Sequence, residues 1–311
     1  MTAEWLYQGP HQRLVRFRGT GTRGQAVVSF EHGRDRMDGY APAQPPRFAL
    51  RLGLDVLLVQ TARRDWFLSP ASAALAQALA QATADYAEVI ATGFSMGGYG
   101  ALLYSRACRA SRVLLVSPQY SIDPAIAPFD PDRHGKFTRI GRPMPRPESW
   151  GDPQVGGVLI HDPRIAADRG HAALIAAAFP RLHHVALPFG GHPATLVLGE
   201  AGRGVGRIAE ALVHDTLDPA AIRADHRAAR RRSLNYHLHL ARTALPRHRD
   251  RALARLADLA QTGTDHIRFE AGLALLEAGD ERGAALLSNL LDQVVDPPAA
   301  WARRLQRALQ G

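Results

Sequence analysis

The stretch from 88 to 105 constrains this chain more than any other. Glu88-Val89-Ile90-Ala91-Thr92 is short, apolar and partly β-branched, the make-up of a buried strand. Tyr99-Gly100-Ala101-Leu102-Leu103-Tyr104-Ser105 is an apolar run of helical character. Between them stands Gly93-Phe94-Ser95-Met96-Gly97-Gly98, which has the G-x-S-x-G form. A strand entering a helix through so short a turn holds the serine in a strained backbone geometry. Small residues two before and two after it let neighbouring backbone close in. A Gly/Ser cluster between elements is often a plain turn. The strand-before, helix-after context favours a nucleophile elbow, which then requires an acid, a base and oxyanion donors elsewhere.

From residue 14 to about 200, short apolar segments alternate with alanine-rich helical ones, the pattern of a mostly parallel sheet with helices on both faces. The spacing predicts strands over 14–18, 26–30, 55–60, 88–93, 112–117, 157–161 and 183–188, the first two forming an antiparallel edge. Helices are expected over 71–83, 96–107, 169–179 and 193–208. Between Ser117 and Gly157, prolines at 118, 124, 128, 131, 143, 145, 147 and 153 break regular helix, marking an insertion over about 119–156. A long irregular excursion of this kind suits a lid or substrate-binding insertion. After about 215 only helices are expected, over 220–245, 250–261, 267–278, 282–294 and 299–310. Two regions follow: an α/β domain over 1–212 and an α-helical tail over 213–311.

Composition narrows the class. At 46% hydrophobic and 22% charged residues, the chain can bury a substantial core. A single cysteine, Cys108, excludes an internal disulfide and a cysteine-based zinc cluster. No metal site and no cofactor are expected. Met1-Thr2-Ala3-Glu4-Trp5 lacks the basic start and apolar run of a signal peptide, and no apolar stretch is long enough to span a membrane, so a cytoplasmic location is expected. The net charge of +9 is carried by arginine, with Lys136 the only lysine, a bias that a GC-rich genome produces. The densest run, Arg227 to Arg232, has no interleaved aromatics and reads as a solvated helix face rather than a nucleic-acid site.

A serine nucleophile needs its partners in the chain order acid, then histidine. Leu187-Pro188-Phe189-Gly190-Gly191-His192-Pro193 places His192 on a glycine-flanked loop after the last expected central strand. His183 and His184 fall inside that strand and are poorer candidates. The acid should follow the preceding strand, where Asp162 stands at the strand's end and Asp168 six residues on, where a helix begins. Asp162 is preferred for leading a loop of usual length. Asp168 stays open, with helix capping as its ordinary role, and Asp123 is a distant third. Oxyanion donors are expected from the Met96 N–H and from Phe30 or Glu31 after the strand 26–30. Trp66 and Phe67, together with the proline-rich segment, are candidates for lining a substrate pocket, or else for core packing.

These residues together resemble the α/β-hydrolase superfamily of serine hydrolases over roughly 14–205. The stretch from Gly93 to Leu102, with Ser117-Pro118-Gln119-Tyr120-Ser121-Ile122-Asp123-Pro124, is similar to a bacterial subgroup of hydrolase-like proteins often found with surface-polysaccharide genes. Residues 271–280, followed by Ala284 and Leu287, resemble one tetratricopeptide-type helix pair. The resemblance implies the fold and a serine-based acyl mechanism, not a substrate; a small-molecule or glycan acyl substrate, and a protein partner on the helical tail, are separate expectations. An acyltransferase would use the same residues, and a binding or scaffold protein on a hydrolase fold is the non-catalytic alternative.

Overall fold

The computed structural model describes residues 3–21, 24–34 and 36–310; Met1 and Thr2, at the N-terminus read above for a signal peptide, lie outside them. The strands are β1 (Ala3–Gln8), β2 (Gln12–Phe17), β3 (Gln25–Phe30), β4 (Asp55–Thr61), β5 (Glu88–Phe94), β6 (Arg112–Val116), β7 (Gly156–His161) and β8 (Leu182–Ala186). They form one sheet in the order β1-β2-β4-β3-β5-β6-β7-β8. β1 pairs with β2 and β2 with β4 in antiparallel fashion, and every later pairing is parallel.

Successive residues of a strand face opposite sides of the sheet, and here both sides are covered. Leu57, Val59, Ala91, Leu115 and Leu159 join one apolar cluster, whereas Val56, Leu58, Ile90, Leu114 and Val158 join another. Continuous apolar strands are therefore required rather than alternating ones. α1 (Arg47–Arg51), α2 (Ser72–Thr83) and α3 (Met96–Leu103) lie between the early strands. α4 (His134–Ile140) and α5 (Pro147–Trp150) belong to the segment between β6 and β7, followed by α6 (Ala166–Ala178). After β8 come α7 (Leu196–Glu200), α8 (Val205–Val213), α9 (Pro219–Ala229) and α10 (Leu234–Ala244). The chain continues through α11 (Arg249–Thr262), α12 (Asp265–Glu277), α13 (Arg282–Gln293) and α14 (Ala299–Gln310).

Several expectations change. The antiparallel edge consists of β1 and β2, not of segments 14–18 and 26–30. β3 sits inside the sheet between β4 and β5, because Ala26, Val27, Val28 and Phe30 are all buried and an edge would leave one side of their backbone unpaired. β1 escaped sequence reading because its side chains are half-buried or exposed, so no apolar run marks it. The helix expected over 193–208 divides into α7 and α8 at Gly202, whose φ of +66° ends the first piece. The one expected over 220–245 breaks before Ser233, whose hydroxyl accepts from the Tyr236 N–H and caps α10.

The proline-rich segment is fastened to the domain at several points. Tyr99 Oη donates to Pro145 O at 2.8 Å, and the Arg106 guanidinium donates to Gly151 O. On the α6 side, the buried His171 accepts from the Tyr120 N–H at Nδ1 and lies 2.9 Å from Asp130 through Nε2. Accepting at Nδ1 leaves the proton on Nε2, so that ring donates to Asp130. Burial opposes the charge on Asp130, but the His171 hydrogen bond and the Arg133 charge outweigh it and hold the carboxyl below its usual range.

Candidate active site

The tip of β5 carries Ser95 with φ 51° and ψ −116°, a backbone state that L residues rarely adopt. Two glycines make it tolerable. A Cβ on Gly93 would lie 2.1 Å from Gly97 O, and one on Gly97 would lie 2.5 Å from Phe30 O. Any larger residue at either place would push α3 away from the ends of β3 and β5. The strain at Ser95 costs about 1–3 kcal/mol, and close packing on all sides maintains it: Met96, Gly97 and Gly98 are all buried.

His192 Nε2 is 3.1 Å from Ser95 Oγ, and His192 Nδ1 is 2.9 Å from Asp168 Oδ1. Asp168 is 3% exposed and His192 28%, so the carboxylate is shielded while one edge of the ring remains open to a reactant. Ser95, His192 and Asp168 thus form a candidate Ser-His-Asp triad. Asp168 occupies the first turn of α6 without capping it; the N-cap is Ile165, which has no capping side chain.

The preference for Asp162 as the acid is corrected by the same geometry. Its carboxylate turns to backbone instead, accepting from the N–H groups of Arg164, Phe189 and Gly191 at 2.8, 3.2 and 3.0 Å. Asp162 therefore anchors the loop that carries His192 and does not touch the ring. Asp123 accepts from Ala125 N–H within its own turn.

That loop is held from a second direction by the helices after residue 219. His226 Nε2 bonds Pro188 O at 3.0 Å, Tyr236 stands edge-on to Phe189 at 5.4 Å, and His239 abuts Gly191 closely enough that a Cβ there would lie 2.4 Å from Nε2. Gly191 has φ +84°, so glycine is required there on backbone and steric grounds alike. Burial pushes the pKa of His226 and of His239 down, opposing protonation of both.

Sequence reading missed one residue at the nucleophile. Gln119 Nε2 donates to Ser95 Oγ at 2.8 Å, and Gln119 Oε1 accepts from Trp66 Nε1 at 2.7 Å. An indole nitrogen only donates, so the Gln119 oxygen must face Trp66 and its amide N–H must face the serine. The available signal was topological: Gln119 follows β6, the neighbour of β5, and so lies beside the elbow. Trp66, expected at the pocket wall or in the core, is 1% exposed and reaches the site only through Gln119. Trp66 and Phe67 both have positive φ. Asp65 stabilises their turn by accepting from Phe67 N–H and Thr61 Oγ1, while burial pushes its own carboxyl up to about 6.

The expected oxyanion donors fare differently. The Glu31 N–H is engaged with Val59 O at 3.0 Å, and its carboxylate binds Arg34. Phe30 is the last residue of β3, its ring packed on Phe67 at 5.3 Å. Met96 opens α3 directly after the serine.

An antiparallel edge leading into a parallel sheet with the β2-β4-β3-β5 exchange, a serine on a strained β5–α3 turn, and a histidine after β8 occur together. The fold is that of an α/β hydrolase. No family model and no curated protein matches the chain. Among solved structures, the chain is similar to Est1E from Butyrivibrio proteoclasticus, at 12% identity over 68% of this chain and 99% of that one with a TM-score of 0.47. It is likewise similar to an acetyl ester-xyloside bifunctional hydrolase from Caldicellulosiruptor lactoaceticus, at 14% identity, 70% and 97% coverage and a TM-score of 0.46. The capsule O-acetyltransferase of Neisseria meningitidis serogroup A matches at 11% identity, 68% and 92% coverage and a TM-score of 0.42.

Proposed function

We propose that this protein is a serine hydrolase of the esterase type. The observation that carries the reading is the unbroken relay from Ser95 Oγ through both His192 nitrogens to Asp168. Asp168 accepts a hydrogen bond from His192 Nδ1–H and fixes the tautomer, leaving Nε2 to take the serine proton as Oγ attacks the acyl carbonyl. The imidazolium then protonates the leaving alcohol, and water, activated by the same ring, releases the acyl group from Ser95. The Met96 N–H, at the start of α3, is one donor to the oxyanion. With the Glu31 N–H engaged by Val59, we place the second donor one or two residues on, at His32 or Gly33.

Stoichiometric labelling by a fluorophosphonate probe, lost in Ser95→Ala, is the expected result. A folded wild-type chain that takes up no label would sink the reading and leave a scaffold role. The resemblance of residues 117–124 to polysaccharide-associated proteins supports an ester on a carbohydrate as substrate. Acetylated oligosaccharides should accordingly be turned over with higher kcat/KM than a simple nitrophenyl ester. Product analysis with and without a sugar acceptor distinguishes hydrolysis from acyl transfer.

A further inference from the structure

A cleft of about 1690 Å³ is bounded by the loop after β4, by α4 and by α14. The β4 loop contributes Arg63 and Arg64, the proline-rich segment contributes Lys136, Arg139 and Arg142, and α14 contributes Arg303 and Arg307. These side chains come from three segments far apart in sequence, so the folded chain assembles the charge rather than a local run. Asp38, Asp65 and Asp132 also line the cleft, but Asp65 is directed into its own turn by Thr61 and Phe67. Among the described residues, Arg63, Lys136, Arg142 and Arg303 have no carboxylate within ion-pair distance. Burial first, then the charges of Arg133 and Arg64, lowers the pKa of Lys136. Gathering cations in this way costs stability through mutual repulsion, a cost that a bound anion relieves.

We propose that this cleft binds a small ligand carrying two or more phosphate groups. Guanidinium forks match phosphate oxygens two at a time, and arginine is the dominant cation here. Among the described residues no Phe, Tyr or Trp lines the cleft, so it lacks the broad stacking platform that single-stranded nucleic acid requires. The cleft lies at the carboxyl ends of the parallel strands, where open α/β sheets hold their ligands. One wall of the cleft is connected to the nucleophile through the chain. Arg64 packs on Gly33, where a Cβ would lie 2.8 Å from Nη1, and two residues on Trp66 holds the Gln119 amide that touches Ser95. The phosphates thus come either from an ester substrate that carries them or from a separate effector.

Calorimetric titration of the full chain with tripolyphosphate, at about 50 mM and about 200 mM salt, tests the site. Saturable binding that weakens steeply with salt is expected. Arg139→Ser/Arg142→Ser should weaken it about tenfold or more, the loss of charge-assisted bonds. Arg247→Ser/Arg251→Ser, which removes equal charge from exposed positions outside the cleft, should bind as the wild type does. Absence of saturable binding, equal weakening in the two pairs, or tighter binding of a single-stranded oligonucleotide than of tripolyphosphate would overturn the proposal. Ser95→Ala should bind tripolyphosphate unchanged, so anion binding and the ester reading can fail separately. If bound tripolyphosphate slows fluorophosphonate labelling of Ser95, the phosphates belong to the substrate path; an unchanged rate with intact binding assigns them to an effector.

Discussion

Two carboxylates follow β7 within six residues of each other, and their partners separate them completely. Asp168 meets a ring nitrogen of His192; Asp162 meets three backbone N–H groups. Removing the charge therefore has different consequences at the two sites. Asp168→Asn should lower kcat by about ten-thousand-fold with little change in KM, since an amide cannot hold the same tautomer. Asp162→Asn leaves backbone donors short of an acceptor and should lower stability by about 1–3 kcal/mol, with a smaller loss of kcat. Steady-state kinetics paired with denaturant unfolding of both variants distinguishes the two. Gln119 invites a comparable test. Gln119→Ala removes the donor to Ser95 Oγ and should cost about tenfold to hundredfold in kcat. Trp66→Phe keeps the ring but frees the amide to rotate, so a smaller loss in the same parameter is expected. Equal kcat in wild type and Gln119→Ala would remove Gln119 from the machinery.

Elements rather than single residues set the position of His192. Its loop leaves β8 and is gripped on one side by Asp162 and on the other by α9 and α10. The helices after residue 219 thus help to position His192. Tyr236→Ala removes an edge-to-face ring pair with Phe189, a contact worth about 0.5–1.5 kcal/mol beyond burial. The variant should lower kcat while the protein stays folded, as checked by circular dichroism beside the kinetic assay. Unchanged kcat would mean that the ring pair is dispensable and that Asp162, His226 and His239 suffice to position the loop. The strands and most helices were readable because apolar runs and glycine breaks are local signals. β1 and the α9–α10 break were not, since the first depends on pairing with β2 and the second on the cap at Ser233.

For the molecule as a whole, buried and half-buried histidines govern the acid limit of stability. Burial lowers the pKa of His161, His184, His226 and His239. In the unfolded chain such rings take up protons near pH 6.5, whereas the fold resists it. The unfolded state therefore binds more protons below that pH, and stability falls as pH drops. Asp65 acts in the opposite sense. Its raised pKa of about 6 favours the protonated carboxyl in the fold, so its contribution increases as pH falls through that value. Asp130 and Glu270, both held low, lose their contribution at more acidic pH still. The histidines dominate by number, so Tm should be lower at pH 5.5 than at pH 7.5. Differential scanning calorimetry measures it, and a Tm that rises on acidification would contradict the assignment.

What the sequence by itself determined is the order of things along the chain. The glycines around Ser95 and before His192 mark sharp turns, and apolar runs mark the strands that those turns follow, because backbone geometry and burial act over a few residues. Which carboxylate meets His192, why Gln119 touches the nucleophile, and how α10 comes to support the histidine loop were decided only by the tertiary structure. The same holds for the basic cleft, which joins residues from 63 to 307. Side chains that follow neighbouring strands share one end of the sheet, but their directions depend on packing between segments distant in sequence, and no local pattern records that packing.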